Sequence, residues 1–320
     1  MREINFVCNA FNLIRAKERA TMRTLFSPYV FIVYCVFFFL SSVQAQAQTL
    51  KIAPHETDSA IDQKSPAHWV MNPFLLKADA PLVVWLSGTE GTPENGPTLF
   101  YRTVLEQQFK LIALSYNSTP AVSQVCVNRK LRDMPDCAAR FRQQRVWGDA
   151  PNEFIRDQAH DAIASRLKKL LQHLVKTRAQ SHWETYLRGD EIRWERITLA
   201  GQSQGGGMAA YLAQTRPVAG VIVFSGGWDK RNQDEIADWY ARPSATAHAR
   251  WFATYHVEEN NAATMAKIYQ VLGVPTANVF ALNLPLSTQN AHGEGIRNPA
   301  YKDLWVRILQ SIKSRHEVKE

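Results

Sequence analysis

The sequence predicts an α/β protein with a mostly parallel central sheet and helices on both faces. Three observations carry this. Short runs recur that are apolar throughout rather than alternating, as strands buried on both faces are. Helix-compatible stretches separate them, and strand, helix, strand, helix is the order that parallel sheets require. Gly201-Gln202-Ser203-Gln204-Gly205 joins one such strand to one such helix across a turn.

Taken in order, Leu50-Lys51-Ile52 reads as an edge strand or hairpin, and His68-Trp69-Val70 as extended cover. Pro81 to Leu86 is the first continuous apolar run. It ends in Ser87-Gly88-Thr89-Glu90-Gly91, a glycine-bearing loop leading to a helix near Thr98 to Gln108. Leu111 to Tyr116 is the next buried strand. Residues 117–151 read as an irregular, Arg-rich insertion, and loops of that length tend to be functional. A long amphipathic helix is expected from about Asn152 to Arg178, with Lys168-Lys169 on its solvated face and Leu167, Leu170, Leu171 and Leu174 on its apolar one. Ile197-Thr198-Leu199-Ala200 is the strand before the pentapeptide. Val218 to Phe224, Trp251 to His256 and Val279 to Leu282 are three more strands, and Tyr301 to Ser314 reads as a closing helix. No internal repeat is visible.

The chain has 320 residues, 46% of them apolar, with 15 Gly and 15 Pro. A large single core is feasible and disorder is not indicated. Residues 1 to about 47 read as targeting sequence: Met22-Arg23 is a second plausible start, an apolar stretch runs from Tyr29 to Leu40, and small residues end at Ala45 and Ala47, where cleavage would fit. The apolar run is short for a membrane span, although an uncleaved anchor is the competing reading. The expectation is a signal peptide followed by a single domain over 48–320, exported to the periplasm or beyond and without a stable membrane span. The formal charge of +8 falls to about +5 once residues 1–45 are set aside, an excess spread along the chain, so nucleic-acid binding is not indicated. Cys126 and Cys137 remain close together in a polar segment, and in an oxidising compartment such a pair predicts a disulfide before a metal site.

The pentapeptide has the form of a nucleophile elbow, in which serine sits on a sharp strand-to-helix bend and glycine on either side avoids collision with neighbouring backbone. With strand-end candidates for a base and an acid, the sequence from about Leu82 to Lys313 resembles the α/β-hydrolase superfamily, and within it a bacterial branch with a Gly-x-Ser-Gln-Gly elbow and a Phe-Ser-Gly stretch after the following strand. The resemblance implies the α/β-hydrolase fold, Ser203 as nucleophile and His292, in a His-Gly pair after the last strand, as base. His256 and His160 compete for that role. The acid is expected after the penultimate strand, at Glu259 in preference to Glu258, with Asp229 after the preceding strand as an alternative. Most relatives use Asp there, so Glu is a departure. The oxyanion is expected on the backbone N–H groups of Gln204 and of the Gly88-Thr89 loop. Gln202 and Gln204 read as structural side chains, and Trp228 as a possible pocket wall. No metal or organic cofactor is implied. The expected activity is hydrolysis of a small or lipid-like carboxylic ester through an acyl-enzyme. Transfer of the acyl group to another acceptor uses the same residues, and an inactive binding protein on this scaffold is the reading from a different class.

Overall fold

A computed structural model describes residues 49–73, 75 and 77–317, all within the unit 47–320. The signal peptide, its start at Met22 and its cleavage sites lie outside the described residues.

Eight strands form one sheet: β1 (Thr49–Ile52), β2 (His68–Met71), β3 (Leu82–Leu86), β4 (Lys110–Leu114), β5 (Ile197–Gln202), β6 (Gly220–Phe224), β7 (Trp251–His256) and β8 (Val279–Leu282). Their spatial order is β1-β2-β4-β3-β5-β6-β7-β8. β1 and β2 are antiparallel and the rest run parallel from β4 to β8. This is the α/β-hydrolase fold, in the class the sequence predicts.

After a single helical turn at Pro54–Thr57, the α-helices are α1 (Thr98–Glu106), α2 (Val122–Val125), α3 (Asn128–Asp133), α4 (Cys137–Trp147), α5 (Ile163–Thr177), α6 (Gln204–Thr215), α7 (Ala262–Val271), α8 (Glu294–Arg297) and α9 (Lys302–Glu317). Strand residues alternate between two cores. Leu82, Val84 and Leu86 face α4, α5, α6 and α7, whereas Val83 and Trp85 face α1 and α9 through Phe100, Leu304, Trp305 and Ile308. Burial on both faces is why the strands read as unbroken apolar runs.

Two boundaries differ from expectation. The helix placed from Asn152 starts at Ile163, because the Asn152 side chain makes local bonds with the Phe154 N–H and the Ala150 carbonyl at 3.0 Å each, and Asp161 accepts from Gln158 N–H at 3.0 Å. Short polar side chains of this kind offer the backbone an alternative to helix. Residues 117–151 are not irregular but hold α2, α3 and α4. The Cys126–Cys137 disulfide, with a Cα–Cα distance of 5.7 Å, joins the end of α2 to the start of α4. Arg145 on α4 binds the Asp157 carboxylate at 2.8 Å and the Pro120 carbonyl at 2.6 Å, which folds the segment back on itself. No helix of the described residues is long and apolar enough to cross a membrane.

Candidate active site

β5 ends at Gln202 and α6 begins at Gln204, leaving Ser203 alone in the turn with φ 57° and ψ −122°. A non-glycine residue rarely adopts positive φ, and such outliers persist where the surrounding structure over-determines them. What determines this one is packing of backbone on backbone. A side chain at Gly205 would run into the carbonyl of Leu86 at the end of β3, and one at Gly201 would stand 2.5 Å from the Gly205 carbonyl. Ser203 N–H donates to the Phe224 carbonyl at 2.9 Å, pinning the turn to the end of β6.

The loop after β3 closes on the same point. Gly88 accepts from Gly91 N–H at 2.9 Å in a tight turn whose third residue, Glu90, has φ 61°. A β-carbon at Gly88 would stand 3.3 Å from the Cβ of Ser203, so the loop runs directly against the serine. Gln204, first residue of α6, leaves its backbone N–H at the positive end of the helix. Its side chain does separate work: Oε1 accepts from Val122 N–H and Nε2 donates to the Pro120 carbonyl, each at 3.2 Å, which ties the insertion to the elbow.

His292 lies in a single turn, Ala291–Gly293, after β8. Its Nδ1 is 2.7 Å from Oε2 of Glu259, which follows β7. A carboxylate in its ionised form can only accept, so this contact suits a ring whose proton is on Nδ1 and whose Nε2 is unprotonated. Oε1 of Glu259 accepts from the Ser225 hydroxyl at 2.7 Å and from His256 N–H at 2.8 Å. The carboxylate is 3% exposed and the imidazole 31%, so the acid is held inside while the ring faces open space. The Trp228 ring meets His292 edge-on, 5.2 Å between centroids, and both line a cavity of about 420 Å³. Gln202 donates to the His292 carbonyl at 3.3 Å, linking the residue before Ser203 to the histidine loop. The Ser203 hydroxyl itself makes no hydrogen bond to His292.

The structure separates the remaining candidates. Asp229 points away from His292 into a buried pair with Arg142, Oδ2 to Nε 2.5 Å and Oδ1 to Nη2 2.7 Å, and its Oδ2 also accepts from the Trp239 indole at 2.9 Å. Both oxygens of Asp229 are thus taken up by Arg142 and Trp239. Glu258 is exposed, and its N–H donates to His256 Nδ1 at 3.3 Å. His256 is buried with Nε2 on the Leu284 carbonyl at 2.9 Å, and His160 sits 3.6 Å from Asp161.

Three supporting residues escaped the sequence reading. Ser225 orients Glu259. Tyr269 on α7 accepts from Gly226 N–H at 3.1 Å and donates to the Gly226 carbonyl at 3.0 Å, fixing the loop after β6. Glu294 is 1% exposed and accepts from Ser287 N–H, Thr288 N–H and the Asn298 amide at 2.8–3.0 Å, bracing the segment that carries His292. Burial raises its pKa, but these bonds outweigh burial and hold the carboxyl below its usual range. The Phe-Ser-Gly stretch was the one available signal for Ser225.

No family model matches the chain, and no curated protein is similar to it in sequence. Solved structures are similar to parts of its backbone. An esterase/lipase from an uncultured bacterium matches 94% of this chain and 95% of its own at 11% identity and a TM-score of 0.46. A bacterial heroin esterase matches 89% and 90% at 13% identity and 0.45, and a hormone-sensitive lipase from a metagenome library 91% and 100% at 13% identity and 0.46. Similarities of this degree concern the course of the backbone and say nothing of substrate.

Proposed function

We propose that the protein is a serine hydrolase that cleaves a carboxylic ester through Ser203, His292 and Glu259. The observation that carries this reading is the convergence of three loops: a strained serine at the strand-to-helix turn, the Gly88 loop in contact with it, and a histidine oriented by a buried carboxylate.

In the acylation step Ser203 Oγ attacks the ester carbonyl carbon while His292 Nε2 takes its proton. The Glu259 carboxylate stabilises the imidazolium that forms and keeps the ring oriented. Negative charge on the former carbonyl oxygen falls on the N–H groups of Gln204 and Thr89, donors already fixed in place. His292 returns the proton to the leaving alcohol as the C–O bond breaks. Water then attacks the acyl carbon and loses its proton to Nε2, and Nε2 passes that proton to Ser203 Oγ as the acyl–Oγ bond breaks and the acid leaves. The chain would act outside the cytoplasm after removal of residues 1–47, in keeping with its disulfide.

The test is hydrolysis of short p-nitrophenyl esters by purified 48–320 protein. Ser203→Ala is expected to lower kcat by about 10³-fold or more with the fold intact. Equal rates in the variant would refute the reading.

A further inference from the structure

A second cavity, of about 480 Å³, opens between the loop after β3 and α8. Gly88, Thr89 and Gln202 line it, so it adjoins the serine, and Trp85, Gly96 and Arg297 complete its walls. One of its buried donors is unsatisfied. Trp85 is 2% exposed, and its indole N–H, a donor only, has no hydrogen-bond partner. The Tyr101 hydroxyl is also buried without a partner. It lies immediately behind Gly96, where any side chain would strike it. Burial raises its pKa, so it remains a protonated donor. Buried donors of this kind cost free energy unless something accepts from them.

Arg297, at the end of α8, supplies the charge. It is exposed, it donates to the Asn95 carbonyl at 3.2 Å, and no carboxylate of the described residues pairs with it. Glu90 is the acidic side chain that lines the cavity, and it is exposed on the rim rather than bound to Arg297. Arg297 and Trp85 line the same cavity, and a guanidinium together with an unused neutral donor is a carboxylate-accepting arrangement.

We propose that this cavity receives a carboxylate carried by the acyl half of the substrate, with Arg297 and the Trp85 N–H as its recognition groups, so that the preferred esters are half-esters of short dicarboxylic acids. The inference rests on Ser203 being the nucleophile. Its test does not, because binding can be read without turnover.

The experiment titrates Ser203→Ala protein with monomethyl succinate and with methyl butyrate, its neutral counterpart, following tryptophan fluorescence and calorimetry. The expected result is at least about tenfold tighter binding of the charged ligand, a preference lost in Ser203→Ala/Arg297→Met and reduced in Ser203→Ala/Trp85→Phe. Equal affinity for the two ligands, or a preference that survives Arg297→Met, overturns the proposal. Since Arg297 is exposed, its replacement leaves the core intact even if Trp85→Phe does not fold. Neutral esters hydrolysed by wild-type protein without charge preference would remove this inference alone. A charge preference in a protein that hydrolyses no ester would remove the hydrolase reading and leave the anion site standing.

Discussion

Asp229 and Glu259 are both buried carboxylates just beyond the ends of neighbouring parallel strands, β6 and β7, yet their partners differ. Asp229 gives both oxygens to Arg142 and one also to Trp239, so its charge is neutralised in place and nothing is left to act on a base. Glu259 is held by two neutral donors on one oxygen, and the other meets His292. The partner decides the role: a carboxylate locked to a fixed cation holds structure, whereas one held by neutral donors keeps its charge to orient and stabilise a histidine.

Exchanging each for its amide should break the two regions differently. Glu259→Gln is expected to reduce kcat by roughly 10³–10⁴-fold while the denaturant midpoint stays near wild type. Asp229→Asn should instead destabilise by about 3–5 kcal/mol, because it leaves the Arg142 guanidinium buried without its counter-ion. Chemical denaturation alongside ester kinetics reads both. The comparison collapses if Asp229→Asn keeps full stability and loses only activity.

The disulfide sharpens the same contrast on the Arg142 side. Cys126→Ser/Cys137→Ser should lower stability by about 2–3 kcal/mol, since the bond closes a short loop around α3, with kcat within about twofold of wild type. A large fall in kcat at unchanged stability would instead place the insertion in the chemistry. On the Glu259 side, Ser225→Ala removes one charge-assisted hydrogen bond and should reduce kcat by about tenfold with little change in KM.

A separate expectation concerns acid stability. His68 is fully buried in β2, its Nδ1 accepts from Ser115 N–H at 3.0 Å, and burial, helped by Arg166, pulls its pKa down to about 3. Its folded-state pKa is depressed, so the unfolded chain binds the proton more readily. The contribution is fully present above about pH 6.5 and is lost as pH falls towards 3. His68→Asn keeps an acceptor for Ser115 and does not titrate, so its stability should fall less steeply between pH 6 and 4 in parallel denaturant titrations.

Much of the fold was legible because its strands are buried on both faces and its elbow needs glycine. Trp251 to His256 and Val279 to Leu282 have the bounds that their apolar runs suggest. The insertion was harder to read, since α4 buries Arg142 and Arg145 among aromatic and apolar residues and so lacks an apolar stripe. α7 gave no usable signal either. At the site, serine and histidine stood out by motif and strand-end position. The acid could not be chosen on those grounds, because Asp229 and Glu259 occupy equivalent places in the pattern. What distinguishes them is Arg142, 87 residues before Asp229 and supplied by a segment that reads as irregular. That pairing exists only once the insertion has folded onto β6.

The central claim is that Ser203 is an activated nucleophile. Intact-protein and peptide mass spectrometry after exposure to a fluorophosphonate tests it most directly. One adduct, located on Ser203 and absent from Ser203→Ala, is the predicted result. A folded, disulfide-bonded protein that takes no adduct, or takes it on another residue, would contradict the account.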